Sequence, residues 1–186
     1  MRRGSVPMEE EERQRKGDVY REMKVGAVFL AERGPERSEL APEVWVETPK
    51  EGSLRYFARR TAKGGFGQLL YALAVQSGLS RAKQIVVLGD GAPWIWKLVA
   101  EHFPGAVQIV DLYHAQRMRY PAFRAQGLHV GSGIAEAACK TVVETRAKRA
   151  GMWWTPEGLD ALLPLRTAKL NHTKDEFWEQ QSRLVA

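Results

Sequence analysis

The stretch that decides the fold is Gln84-Ile-Val-Val-Leu-Gly-Asp-Gly-Ala-Pro-Trp-Ile-Trp-Lys-Leu-Val-Ala-Glu-His-Phe-Pro-Gly-Ala-Val-Gln-Ile-Val-Asp111. Gln84–Leu88 is a short apolar run rich in β-branched residues, closed by Gly89-Asp90-Gly91. A run of that kind between turn residues reads as a buried central strand. The next stretch, Pro93 to Phe103, reads as a helix, with Pro93 near its first turn, where a missing N–H does no harm. Pro104-Gly105 ends it, and Ala106–Val110 is a second buried run, closed by Asp111. Strand, helix, strand over about thirty residues is a βαβ unit, whose two strands pair in parallel. The chain is therefore expected to be an α/β protein.

Toward the N-terminus, Glu22–Ala31 is a strand candidate, with Met23, Val25, Ala27 and Phe29 alternating on one face. Residues 33–42 hold Gly34, Pro35 and Pro42 and read as a loop, and Val44-Trp-Val46 as a short edge strand. From Ser53 to Gly78 the spacing of Leu54, Phe57 and Ala58, then Leu69, Leu70, Leu73 and Ala74, is helical. Gly64, Gly65 and Gly67 interrupt it, so two helices or one bent helix are expected. Residues 1–18 are polar, with Glu9–Glu12 followed by Arg13, Arg15 and Lys16, and read as a flexible, exposed segment. Beyond His114 the chain is mostly helical: Ile134–Ala150, Pro156–Leu170 and Lys174–Leu184, with 153–186 as a C-terminal helical extension.

A length of 186 residues suits one medium domain, and 28 Lys and Arg against 22 Asp and Glu give a formal charge of +6. A basic balance favours a polyanionic partner, nucleic acid above all. Cys139 stands alone, so no intrachain disulfide forms, which fits a reducing, cytoplasmic setting. No run of eighteen apolar residues exists to span a membrane, and the N-terminus has no apolar core of a secretory signal.

Three carboxylates stand out. Asp90 and Asp111 each follow a buried strand, and adjacent parallel strands present such residues on one rim, where α/β sheets bind ligands. Short, hard carboxylates suit Mg²⁺ or Mn²⁺. The plainer reading is that each aspartate caps the element that follows. Glu136 lies on the first turns of a helix in Gly131-Ser-Gly-Ile-Ala-Glu-Ala-Ala-Cys-Lys140, with Ser132 as a cap. Its plainer reading is an ion pair with Lys140 at i,i+4. His114, three residues past Asp111, can face it across one helical turn. A zinc site is the rival for His114, but one Cys and four His without paired spacing argue against it. Lys140, Arg146, Lys148 and Arg149 follow Glu136 and suit phosphates. Equally, they read as a solvated face with a Glu144–Lys148 pair.

Several segments, in order, resemble bacterial insertion-sequence transposases of the ISKra group, which are DDE-type enzymes. They are Val87-Leu-Gly-Asp-Gly-Ala-Pro-Trp-Ile-Trp96, Phe103-Pro-Gly-Ala-Val-Gln-Ile-Val-Asp-Leu-Tyr-His-Ala115, Arg117-Met-Arg-Tyr120, Gly131–Lys140, Arg146-Ala-Lys-Arg-Ala-Gly-Met-Trp153 and Leu165-Arg166. Weaker similarity covers Val6-Pro-Met8 and Lys24-Val-Gly26. The resemblance implies an α/β fold with a ribonuclease H-like core, here an incomplete sheet followed by the C-terminal helices, as one partial catalytic domain over 1–186. It implies an acidic triad holding two divalent metals, Mg²⁺ or Mn²⁺. Asp90 matches the second carboxylate and Glu136 the last, as catalytic residues and metal ligands. Asp111 and His114 match a supporting element. The first catalytic aspartate of such proteins precedes a segment like Gly4–Met8 on the first strand; that place falls near Arg2, with no aspartate and no strand expected. A helical insertion between His114 and Glu136 is also missing.

The chain thus reads as a truncated, internally deleted and inactive copy. Its cofactor would be weakly held or absent. Its partner would be DNA, bound weakly through Lys140, Arg146, Lys148 and Arg149 without sequence preference. An unpaired strand edge invites self-association. The rival readings are a basic DNA-binding module without catalysis, and a hydrolase or phosphatase with Asp90 as nucleophile, which lacks a phosphate loop.

Overall fold

The computed structural model describes residues 2–7, 20–38, 41–60, 63–111, 120–131, 133–149, 152 and 154–185. The chain forms two compact units. One is built from Val28–Leu54 and Lys63–Ile134, the other from Arg2–Ala27, Arg55–Ala62 and Ala135–Ala186. Both mix helices with small sheets.

The first unit contains the expected βαβ element. β6, Val86–Gly89, and β7, Val107–Val110, pair in parallel, with Val86 opposite Val107 and Gly89 opposite Val110. Helix α2, Pro93–His102, runs between them in sequence, with Pro93 at its start. Among the described residues β6 has only β7 as a hydrogen-bonded neighbour, so the expected central strand is one of a pair. Ile109 is fully buried and packs with Tyr120, Leu128 and Val130. Tyr120 belongs to helix α3, Tyr120–Ala125.

Helix α1, Lys63–Gln76, buries Phe66, Leu70 and Ala74, four residues apart, which places them on one face. α2 buries Trp94, Ile95, Leu98 and Val99. The Phe66 and Trp94 rings meet edge to face at 6.1 Å, a favoured arrangement of their quadrupoles.

Two elements of this unit form a hairpin: β3, Ala31–Arg37, and β4, Trp45–Pro49, antiparallel. The edge strand expected around Trp45 is present. The loop expected over 33–42 is corrected in part, because β3 runs through Gly34 and Pro35. The pairing shifts between Arg33 and Arg37, and this irregularity accommodates a proline that has no N–H to give. Gly34 is needed there because a Cβ would press on the Val46 carbonyl and the Thr48 side chain.

The second unit holds a three-stranded sheet of β1, Arg2–Pro7, β2, Tyr20–Val28, and β5, Arg55–Arg59, in that order. β2, Tyr20–Val28, covers most of the expected strand, and Met23 and Val25 point into the core. β1, Arg2–Pro7, pairs antiparallel to it from Arg2–Val25 to Pro7–Tyr20. Residues 2–7 were expected to be a flexible segment with no strand. Their order comes from the open edge of β2 rather than from a local apolar pattern. β5, Arg55–Arg59, corrects the helical reading that began at Ser53. Phe57 and Ala58 are both buried there, and buried neighbours in so short a run fit either period.

The C-terminal segments are helical, as expected. Helix α4, Gly133–Ala138, passes into a π-helical turn, Cys139–Glu144, and then α5, Thr145–Ala147. Ala138, Cys139, Val142, Val143 and Ala147 are buried with Met23, Val25, Ala58, Leu159 and Leu163. Helix α6, Pro156–Leu170, starts with Pro156 and is capped by Thr155 Oγ1, which accepts from the Gly158 N–H at 3.0 Å. Helix α7, Lys174–Val185, follows.

Candidate carboxylate site

Parallel pairing of β6 and β7 fixes where two of the acids lie. The ladder continues one step beyond the strands, with the Asp111 N–H donating to the Gly89 carbonyl at 2.8 Å. Asp90 and Asp111 therefore leave the same end of two neighbouring strands. Gly91 takes φ +87°, a left-handed turn that a side chain would strain. This turn lets Asp90 fold back, and its Oδ1 accepts from the Ala92 N–H at 3.0 Å. Asp90 thus braces the turn leading into α2, whose own N-cap, Ala92, has no side-chain bond. Asp90 is therefore not the cap of α2: it bonds the N–H of the N-cap residue itself, two positions further on, in a turn ahead of the helix. Oδ2 makes no hydrogen bond among the described residues, which leaves one oxygen for a cation.

Asp111 is buried, at 1% exposure. Its main chain is held by Tyr120, whose hydroxyl donates toward the carbonyls of Val110, at 2.8 Å, and Asp111, at 3.1 Å. Burial raises the Tyr120 pKa, and the Asp111 charge raises it further. Tyr120 escaped the sequence reading as a site residue. The signal was its place at the end of Arg117-Met-Arg-Tyr120, nine residues past Asp111. His114 and Ser132 lie outside the described residues.

Glu136 sits on α4, half-buried, and belongs to the second unit, whereas Asp90 and Asp111 belong to the first. The strand pairing brings only the two aspartates to one rim. Among the described residues no group of three or more His, Cys, Asp or Glu side chains is gathered to hold a metal ion.

Lys140, Arg146, Lys148 and Arg149, beyond Glu136, are exposed. Lys148 pairs with Glu144 at 3.7 Å, as the solvated-face reading expected. Arg149 Nε donates to the Thr145 carbonyl at 2.8 Å, and the Arg146 guanidinium lies 5.8 Å from the Trp154 ring centroid. The π-helical turn that precedes them is stabilised from two sides. Arg166 donates to the Thr141 carbonyl through Nη2 at 2.8 Å and Nε at 3.3 Å, and Thr145 Oγ1 donates to the Lys140 carbonyl at 2.7 Å.

Comparison with protein-family models, with curated proteins and with solved structures returned no match. Among the described residues no helix is long and apolar enough to cross a membrane.

Proposed function

We propose that the chain is a transposase-derived domain of the DDE type with a ribonuclease H-like core, which binds DNA and does not cleave it. The observation that carries this reading is the pair of aspartates at the carboxyl ends of two adjacent parallel strands. The carboxyl ends of parallel strands are where α/β sheets take their ligands. Hard carboxylate oxygens there fit a divalent cation such as Mg²⁺ or Mn²⁺.

By the resemblance, Asp90 on the first unit and Glu136 on the second are each proposed as ligands; Asp111 and Tyr120 hold the rim beside Asp90, with His114 in support. In strand cleavage the two ions supply an activated attacking oxygen and stabilisation of the leaving oxygen. The Asp90 carboxylate, with one oxygen already bonded to the Ala92 N–H, would hold an ion weakly. The connection from His114 to Glu136 also lacks the helical insertion of the proteins the sequence resembles, which deprives DNA of positioning contacts.

The second reading, a basic DNA-binding module without catalysis, is supported by the exposure of Lys140, Arg146, Lys148 and Arg149. The two readings separate on metal binding. Mn²⁺ titration followed by electron paramagnetic resonance should find one weak site, lost in Asp90→Asn and in Glu136→Gln. Nicking of supercoiled plasmid in Mg²⁺ or Mn²⁺ should stay at background. Nicking that needs both the metal and Asp90 overturns the inactive assignment. Metal binding indifferent to Asp90 and Glu136 overturns the site and leaves the basic module.

A further inference from the structure

The β3–β4 hairpin carries a side-chain cluster outside the carboxylate site. The guanidinium carbons of Arg33 and Arg37 lie 3.6 and 3.8 Å from the Trp45 ring centroid. Two guanidinium groups that close to one centroid overlap if they share a face, so each covers one face of the indole. The strand register explains the sandwich. Arg37 is directly opposite Trp45, and Arg33 is opposite Glu47, two residues further along β4. The irregularity between them brings Arg33 and Arg37 to either side of the same ring.

The hairpin that presents this stack is anchored within its unit. Ser38 Oγ donates to the Arg124 carbonyl at 2.6 Å, and the Glu47 N–H donates to the Gly127 carbonyl at 2.9 Å. Arg37 Nη1 donates to the Glu43 carbonyl at 2.9 Å, which fixes the plane of one guanidinium. Both arginines are exposed, and among the described residues neither makes an ion pair with a carboxylate.

A guanidinium laid on an indole has its inner face covered. Its outer face is open, and its N–H donors radiate in the plane around the edge. The edge matches a phosphate, and the outer face matches an unpaired base. We propose that the Arg33–Trp45–Arg37 stack binds single-stranded nucleic acid, with phosphodiester oxygens at the guanidinium edges and bases on the outer faces. An acidic peptide would satisfy the edges and leave both faces bare. A duplex offers phosphates but keeps its base faces stacked inside. The net charge of +6 favours the approach of any polyanion, and only a single strand uses every part of the stack. The proposal rests on nucleic acid as the chain's partner.

The test is fluorescence anisotropy of a labelled twelve-nucleotide oligo-dT and a labelled duplex of equal length, at low salt, with the full chain. The Arg33→Lys/Arg37→Lys double variant keeps the charge and removes the planar faces. It should lose about tenfold in single-strand affinity, because base stacking is lost, while its duplex affinity changes less than about twofold. Trp45→Phe, a smaller platform, should give an intermediate loss. Unchanged circular dichroism and melting temperature show that the variants fold. Equal single-strand binding by wild type and the double-lysine variant overturns this proposal and leaves DNA binding standing. Competition by poly-glutamate as effective as by oligo-dT also overturns it. Absence of binding to either nucleic acid overturns both this proposal and the DNA partner.

Discussion

Asn171 is a residue that takes the place of a strand. Its Oδ1 accepts from the Tyr56 N–H at 2.8 Å and its Nδ2 donates to the Tyr56 carbonyl at 2.9 Å, so one amide completes the edge of β5. Asn171 is buried, and its removal strands a donor and an acceptor away from water. Asn171→Ala should destabilise the chain by about 2 kcal/mol, read as a lower urea midpoint with an unchanged slope. An unchanged midpoint would show that water replaces the amide at no cost. Tyr120 gives a pH dependence of definite sign. Its pKa is raised in the fold, so the fold favours the neutral phenol. The stability this contributes is complete below the unfolded value of about 10 and is lost as pH rises through the folded one. Thermal melts from pH 9 to 11 should show a steeper alkaline loss for wild type than for Tyr120→Phe. Parallel profiles would remove Tyr120 from the cause. Asp90 was legible as a strand-end acid and Asp111 beside it, because glycine and proline punctuate that stretch. Tyr120 was not, because its partners are main-chain carbonyls, which carry no side-chain signature.

At the scale of elements, the βαβ unit was read closely from the sequence, while β1, β3 and β5 were missed. The difference is physical. The β6–α2–β7 boundaries are written locally, in Gly89-Asp90-Gly91, Pro93 and Pro104-Gly105. β3 contains Gly34 and Pro35, which signal a loop, and becomes a strand because β4 pairs with it around an irregularity. β5 is decided by neighbours too, since Tyr56 takes its edge bonds from a residue on the far side of α6. The helix expected over Ile134–Ala150 is present from Gly133 to Ala147, with a π-helical turn inside it. Its buried residues explain that turn. Ala138, Val142 and Ala147, and Cys139 and Val143, recur at intervals of four and five, wider than 3.6 residues, and a wider turn keeps them on one face. Such a turn disturbs the helical bonding, and Arg166 supplies two donors to the Thr141 carbonyl. Arg166→Met keeps the stem and removes the donors. Hydrogen exchange across 139–145 should then accelerate roughly tenfold, corresponding to about 1.4 kcal/mol of local stability. Exchange at the wild-type rate would mean the turn is held by its buried face alone.

At the scale of the whole molecule, the proposed binding to DNA would rest on charge. An excess of +6 is modest, and part of the basic surface is already engaged. Lys148 faces Glu144, Arg149 is bonded back to its own helix, and Arg60 forms two bonds to Asp160, at 2.6 and 3.2 Å. Side chains held in this way neutralise few phosphates at once, so about two to four contacts are expected. Each phosphate neutralised releases condensed counterions, which makes log K fall linearly with log salt at about 0.9 per contact. The slope for duplex DNA should therefore lie at roughly −2 to −3.6, and affinity should drop about 10- to 150-fold between 50 and 200 mM salt. Binding should also be indifferent to sequence, because phosphate contacts position a protein without reading bases. Anisotropy titrations on three unrelated duplexes at four salt concentrations measure both quantities. Removing Lys140 and Arg146 together should lower the slope by about two units if both meet phosphates. A slope near zero, or a strong preference for one duplex, would contradict binding through the charged face and would require a base-reading element elsewhere in the chain.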